Sequence, residues 1–195
     1  MYRVSCPLPL TNPELLVIEA HGYTEYRVEN WRLARDGSGR VVYGFSGCSW
    51  KDMFLIAALS LLLQAVRHAR IRAVMMVVCV GALLWTKATQ VLSESLIVIA
   101  PHGIQLETCR GFPSMVLQRS RRFVPTSALD TVIINEALWR WNVRYYLALL
   151  STSDQGQPTL HVAFENILPY FPVVLEIYRG VHDTIRDWDA TERTV

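Results

Sequence analysis

The feature that most constrains this chain is an apolar insert. Between Met53 and Thr86, 26 of 34 residues are hydrophobic, and the only charges are Arg67, Arg70 and Arg72. Two uncharged runs, Met53–Val66 and Ala73–Thr86, flank the segment Arg67-His68-Ala69-Arg70-Ile71-Arg72. As a helix each run is about 21 Å long, short of the roughly 30 Å hydrocarbon core of a bilayer. Three arrangements compete. Two short helices can form a spanning hairpin, with Trp50 and Trp85 as membrane-interface anchors and the loop arginines snorkelling to the headgroups. The hairpin can enter a single leaflet, which leaves three arginines near mid-bilayer at high cost. Both helices can instead lie in a soluble core. The spanning hairpin fits best. Its orientation is undetermined, because Arg35, Arg40, Lys51 and Lys87 outside it nearly balance the three arginines between the runs.

Composition sharpens the division. The whole chain is 51% hydrophobic and 18% charged, against about 25% charged for an ordinary soluble domain. That excludes a disordered tail, a nucleic-acid-binding arm and a collagen-like chain. Outside the insert the hydrophobic share is about 45%, ordinary for a globular domain. A net charge of +2 gives no sign of a nucleic-acid partner. Cys6, Cys48, Cys79 and Cys109 are widely separated, so C-x-x-C metal and redox motifs are absent, and four free thiols in a reducing compartment are expected. No N-x-S/T sequon occurs, and Met1–Leu10 lacks the apolar core of a secretory signal.

Three regions follow: an N-terminal extension over 1–50, the membrane hairpin over 51–87, and a sheet domain over 88–190. In the first, Leu15–Ala20 is a short strand candidate, Asp36-Gly37-Ser38-Gly39 a turn or linker, and the whole is loosely structured or pairs with the later sheet. In the third, strands are expected at Ser95–Ala100, Ile104–Thr108, Met115–Val124, Ala128–Ile134, Val143–Leu150 and Leu160–Phe164. Phe171, Val174, Tyr178, Val181, Ile185 and Trp188 then recur at helical spacing, with Pro172 in the first turn. The fold class is α+β: an apolar helical hairpin, a curved antiparallel sheet and a C-terminal amphipathic helix.

Catalytic signals are weak. Asp187-Trp188-Asp189 matches D-x-D but sits at the end of a helix, where a solvated terminus is the simpler reading. The E-x7-E pattern, metal-ligand histidine spacings, G-x-S-x-G and the P-loop are all missing. No catalytic, cofactor or metal residue is assigned. Arg119, Arg121 and Arg122 form a basic cluster that either meets anionic lipid headgroups or lines a solvated edge. Arg121 and Arg122 must point to opposite sides of a strand. Asn135-Glu136-Ala137 breaks the alternation after an apolar strand. A turn capped by Asn135 is the simpler reading, and a polar site set against a partner the sharper one.

The blocks His102-Gly103-Ile104-Gln105-Leu106, Phe123-Val124-Pro125, Val132-Ile133-Ile134-Asn135-Glu136-Ala137, Tyr145-Tyr146-Leu147 and Leu175-Glu176-Ile177-Tyr178-Arg179 stand in that order. Together, over roughly residues 91–186, they resemble the PIG-H family, whose members are components of phosphatidylinositol N-acetylglucosaminyltransferase. The resemblance implies a non-catalytic subunit of the complex that makes the first intermediate of GPI-anchor synthesis. It also implies a separate catalytic subunit of PIG-A type as partner, further membrane subunits, no cofactor, and the endoplasmic reticulum membrane with the main domain facing the cytosol. Asn135, Glu136, Tyr145, Tyr146, Glu176, Tyr178 and Arg179 are then candidates for a partner interface. The layout is also similar to membrane-anchored pleckstrin-homology-like domains, in which one C-terminal helix plugs a bent sheet. The alternative is a stand-alone, membrane-anchored module that binds lipid headgroups.

Overall fold

Alternating side chains build most of this molecule, and the computed structural model describes residues 3–31, 50–65, 69–112, 115–139, 141–152 and 156–192. Strands β1 (Arg3–Ser5), β2 (Leu15–Ala20), β3 (Tyr23–Glu29), β4 (Val91–Ile99), β5 (Gly103–Phe112) and β6 (Met115–Pro125) form one antiparallel sheet in sequential order. After a 3-10 turn at Thr126–Ala128, strands β7 (Leu129–Trp139), β8 (Asn142–Thr152) and β9 (Pro158–Ala163) form a second. The chain closes with a helix at Phe171–Glu192, α3. The fold is therefore α+β with antiparallel sheets and a C-terminal helix.

The core lies where the two sheets and α3 meet. Leu15, Val28, Leu96, Val98 and Ile104 from the first sheet are fully or almost fully buried with Leu147 and Leu149 from the second and Val173, Val174, Ile177 and Val181 from α3. Each such side chain contributes about 1.5–3 kcal/mol relative to an exposed position. The α3 stripe carries Val173 and Ile177 beside the positions read from the sequence, while Phe171 at its start stays exposed. A glycine inside α3 has a packing reason. A methyl group on Gly180 would run into the ring of Tyr26, itself buried in the core.

Two helices, α1 (Trp50–Ala65) and α2 (Ala69–Ala88), pack against each other outside this core. They are interleaved with the sheet. β3 precedes them, β4 follows them, and those two strands pair from Tyr23↔Ile99 to Glu29↔Ser93. Residues 3–29 therefore share a sheet with β4–β6. Arg70 and Arg72 lie in the first turn of α2 and not in a connecting loop. At 20 residues, α2 is about 30 Å long, matching a hydrocarbon core. Residues 70–88 are apolar enough to cross a membrane, and their most apolar stretch is 0% buried in the protein. That overturns the soluble-core arrangement for α2: Val77 is 72% exposed and Trp85 73%. The Asp36–Gly39 turn, Arg35, Arg40 and residues 66–68 lie outside the described residues. Cys6, Cys79 and Cys109 are free thiols, and Cys48 lies outside the described residues.

Candidate functional site

The strongest sequence motif sits on the β7–β8 ladder. Asn135-Glu136-Ala137 is not a turn: β7 runs through it to Trp139, pairing Asn135 with Tyr146 and Glu136 with Tyr145. The strand continues because the Asn135 side chain finds a cross-strand partner and also caps the next backbone N–H. The Asn135 side-chain amide donates to the Tyr146 hydroxyl at 3.0 Å, and its Oδ1 accepts the Glu136 backbone N–H at 2.8 Å. Successive residues of a strand face opposite ways, so the sheet separates Asn135 and Tyr146 from Glu136 and Tyr145. The second pair lies on the face of Leu147 and Leu149, and Tyr145 meets the Phe171 ring with centroids 5.0 Å apart. β7 pairs only with β8 among the described residues. Its outer edge offers unpaired backbone groups beside Ile133, Leu138 and Trp139, all exposed.

A second polar arrangement crosses the outer face of the large sheet. The register aligns Arg27, Ser95, Glu107 and Arg121 on neighbouring strands. Glu25 is buried and accepts hydrogen bonds from Tyr23, Arg27 and Ser95 at 2.8–2.9 Å. Burial alone pushes its carboxyl up, but the Tyr23 hydroxyl and the Arg27 guanidinium outweigh that and hold it below the usual range. Burial and the same carboxylate push the Tyr23 phenol up to about 12. Glu107 is shared by two guanidiniums, Arg121 at 2.7 Å and Arg119 at 3.2 Å. Burial and Glu107 raise the neighbouring Cys109 thiol. Arg122 pairs in register with Leu106, on the opposite face. Its charge, after burial, keeps the His161 imidazole below its ordinary value. The three arginines therefore form no single basic surface.

A pocket of about 100 Å³ opens between the two sheets, lined by Asn30, Trp31, Trp139, Arg144 and Tyr170 among others. The Arg144 guanidinium lies 3.9 Å over the Tyr170 ring, a cation–π contact. The pocket's inner wall is fixed by Glu94, 3% exposed. Glu94 accepts the Asn166 side-chain amide at 2.6 Å and the backbone N–H groups of Asn166 and Ile167 at 3.3 and 3.1 Å. These bonds hold a loop in which Phe164 and Leu168 both take positive φ, a conformation costly for such side chains. Burial raises the Glu94 carboxyl despite those hydrogen bonds.

The remaining candidates are scattered. On α3, Tyr178 stacks on His182 with centroids 5.9 Å apart, Glu176 is half-buried and Arg179 exposed. They do not join the Asn135–Tyr146 pair in any described contact. Trp85 lies exposed near the end of α2. Trp50 opens α1, and its side chain lies outside the described part, as do those of Asp187 to Asp189. Sequence reasoning missed Glu25, Glu94 and Glu107. The only local signal was a carboxylate standing between apolar or small neighbours within a strand.

Residues 95–165 match the model of a family described as "GPI-GlcNAc transferase complex, PIG-H component". The matched stretch runs from within β4 to just beyond β9, so the β7–β8 motif lies inside it and the α3 block outside. The resemblance to the PIG-H family read from the sequence is borne out there. Over 86 residues the chain is 27% identical to phosphatidylinositol N-acetylglucosaminyltransferase subunit gpi15 of Schizosaccharomyces pombe, covering 44% of this chain. The chain spans about half the length of that curated relative, 50%. No solved structure matches.

Proposed function

We propose that this chain is a non-catalytic subunit of a GPI-GlcNAc transferase complex, the assembly that transfers N-acetylglucosamine from UDP-GlcNAc to phosphatidylinositol. The observation that carries this reading is the family match across β4–β9, supported by the relative of the same complex. In this reading α1 and α2 anchor the chain in the endoplasmic reticulum membrane, with the sheet domain on the cytosolic side. The open β7 edge and the Asn135–Tyr146 pair then dock a catalytic subunit of PIG-A type, and the exposed helices pack on other membrane subunits. An edge strand that pairs on one side only among the described residues suits that task, because a partner can add backbone hydrogen bonds along its open side while side chains set specificity.

The stand-alone headgroup-binding alternative would rest on Arg119, Arg121 and Arg122. Two of these are engaged by Glu107 and the third lies on the other face, which favours the subunit reading. The test is affinity purification of the full chain from detergent-solubilised membranes, with bound proteins identified by mass spectrometry. Recovery of a UDP-GlcNAc-dependent glycosyltransferase is expected. Recovery of the chain alone, under conditions that keep other membrane complexes intact, would contradict it.

A further inference from the structure

Beyond anchoring by the helices, we infer that one pole of the sheet domain is itself seated in the lipid headgroup layer, through the tips of the β5–β6 and β7–β8 hairpins. The inference rests on the reading of α2 as a membrane span. Helix α2 ends at Ala88 and β4 begins at Val91. Three residue steps reach at most about 11 Å, and each headgroup layer is about 5–8 Å deep. A span that ends at Ala88 therefore holds the start of β4 at the membrane surface. The join is also tied down: the Gly111 N–H donates to the Gln90 carbonyl at 3.0 Å, and the Asn30 N–H to the Leu92 carbonyl at 2.8 Å.

Register then decides what else lies at this pole. Val91 pairs with Arg110, next to Gly111↔Val116 and Phe112↔Met115, so the β5–β6 tip is there. The pocket brings Trp139 and Arg144 beside Asn30 and Trp31, so the β7–β8 tip is there too. The side chains suit an interface. Met115, Val116 and Leu117 are exposed on one tip, and on the other Leu138 is 86% and Trp141 100% exposed. Such a patch is unfavourable in water. Tryptophan prefers the membrane–water boundary, and Arg144, held over Tyr170, supplies a cation for lipid phosphate. The far pole lies at the other end of β4 and carries exposed His102, whose carbonyl accepts the Thr126 N–H at 3.0 Å. Eight residue steps of strand, about 27 Å, separate the two.

The test uses the full chain with its four cysteines replaced by serine and one nitroxide label at a time, reconstituted into phosphatidylcholine–phosphatidylinositol vesicles. Labels go at Val77→Cys, Val116→Cys, Asn142→Cys and His102→Cys. Collision with a water-soluble nickel chelate is the readout. Positions 116 and 142 should collide several-fold less often than 102, and 77 least of all. Shielding at 77 with 142 as accessible as 102 overturns the inference and leaves the anchor intact. Free access at 77 removes the anchor and the inference with it. Shielding of 142 that arises only when a protein partner is added also overturns it. Should the cysteine-free chain misfold, the chain with native cysteines and the double change Trp139→Phe, Trp141→Phe serves instead. Quenching by brominated lipids should then fall clearly, and unchanged quenching overturns the inference.

Discussion

At the residue scale, the carboxylates set the terms. Glu94 is buried with a raised folded-state pKa, so the folded chain binds its proton more tightly than the unfolded one. Its contribution to stability is complete below the ordinary value of 4.5 and is lost as pH rises through the raised value. Glu94→Gln stays uncharged. Its melting temperature relative to the parent should therefore rise as pH increases from 4.5, and an offset independent of pH would contradict this. Glu25 carries the opposite sign: its contribution is present above 4.5 and is lost as pH falls through its depressed value. Gly180→Ala should destabilise by about 1–3 kcal/mol in denaturant titration, because overpacking against Tyr26 outweighs the better helix propensity of alanine. Beyond a carboxylate standing within a strand, and Tyr23 and Arg27 two residues to either side of Glu25, this was not legible in the sequence. Glu94 takes its partners from Asn166 and Ile167, more than 70 residues away, and Glu25 reaches Ser95 across the helical insert. Such partners leave no local pattern.

At the element scale, periodicity located every long strand of the later domain, and missed mainly at the ends. Local rules failed at Asn135-Glu136-Ala137, where residues with turn preference continue β7 because Tyr146 accepts the Asn135 amide. That hydrogen bond is exposed, so Tyr146→Phe should change stability by less than about 1 kcal/mol. If the β7 face docks the catalytic subunit, the same change should reduce recovery of that subunit from detergent at equal expression. Undiminished recovery would move the interface elsewhere. The interleaved helices give a second expectation. Because Asn30 already bonds to Leu92, residues 33–88 should be replaceable by a short Gly/Ser turn. The product should keep its sheet by circular dichroism and no longer float with vesicles; an unfolded product would show that the sheet depends on the helices.

At the scale of the whole molecule, two solvents divide one chain. Hydropathy alone separated the apolar helices from an ordinary domain, since the pattern is local. It left open whether the N-terminal extension is loose or pairs with the later sheet, and the pairing alternative is the one observed, because β3 pairs with β4 across more than 60 positions. Nor did it reveal the Trp-rimmed pole, assembled from four separate segments. The central claim is that this chain is required for transfer of N-acetylglucosamine to phosphatidylinositol without performing it. The most direct measurement is incorporation of labelled N-acetylglucosamine from UDP-GlcNAc into phosphatidylinositol by membranes of the native host lacking this chain. Incorporation should be lost, should return when the full chain is restored, and should be absent when the purified chain is assayed alone. Undiminished incorporation without the chain, or turnover by the isolated chain, would contradict the account.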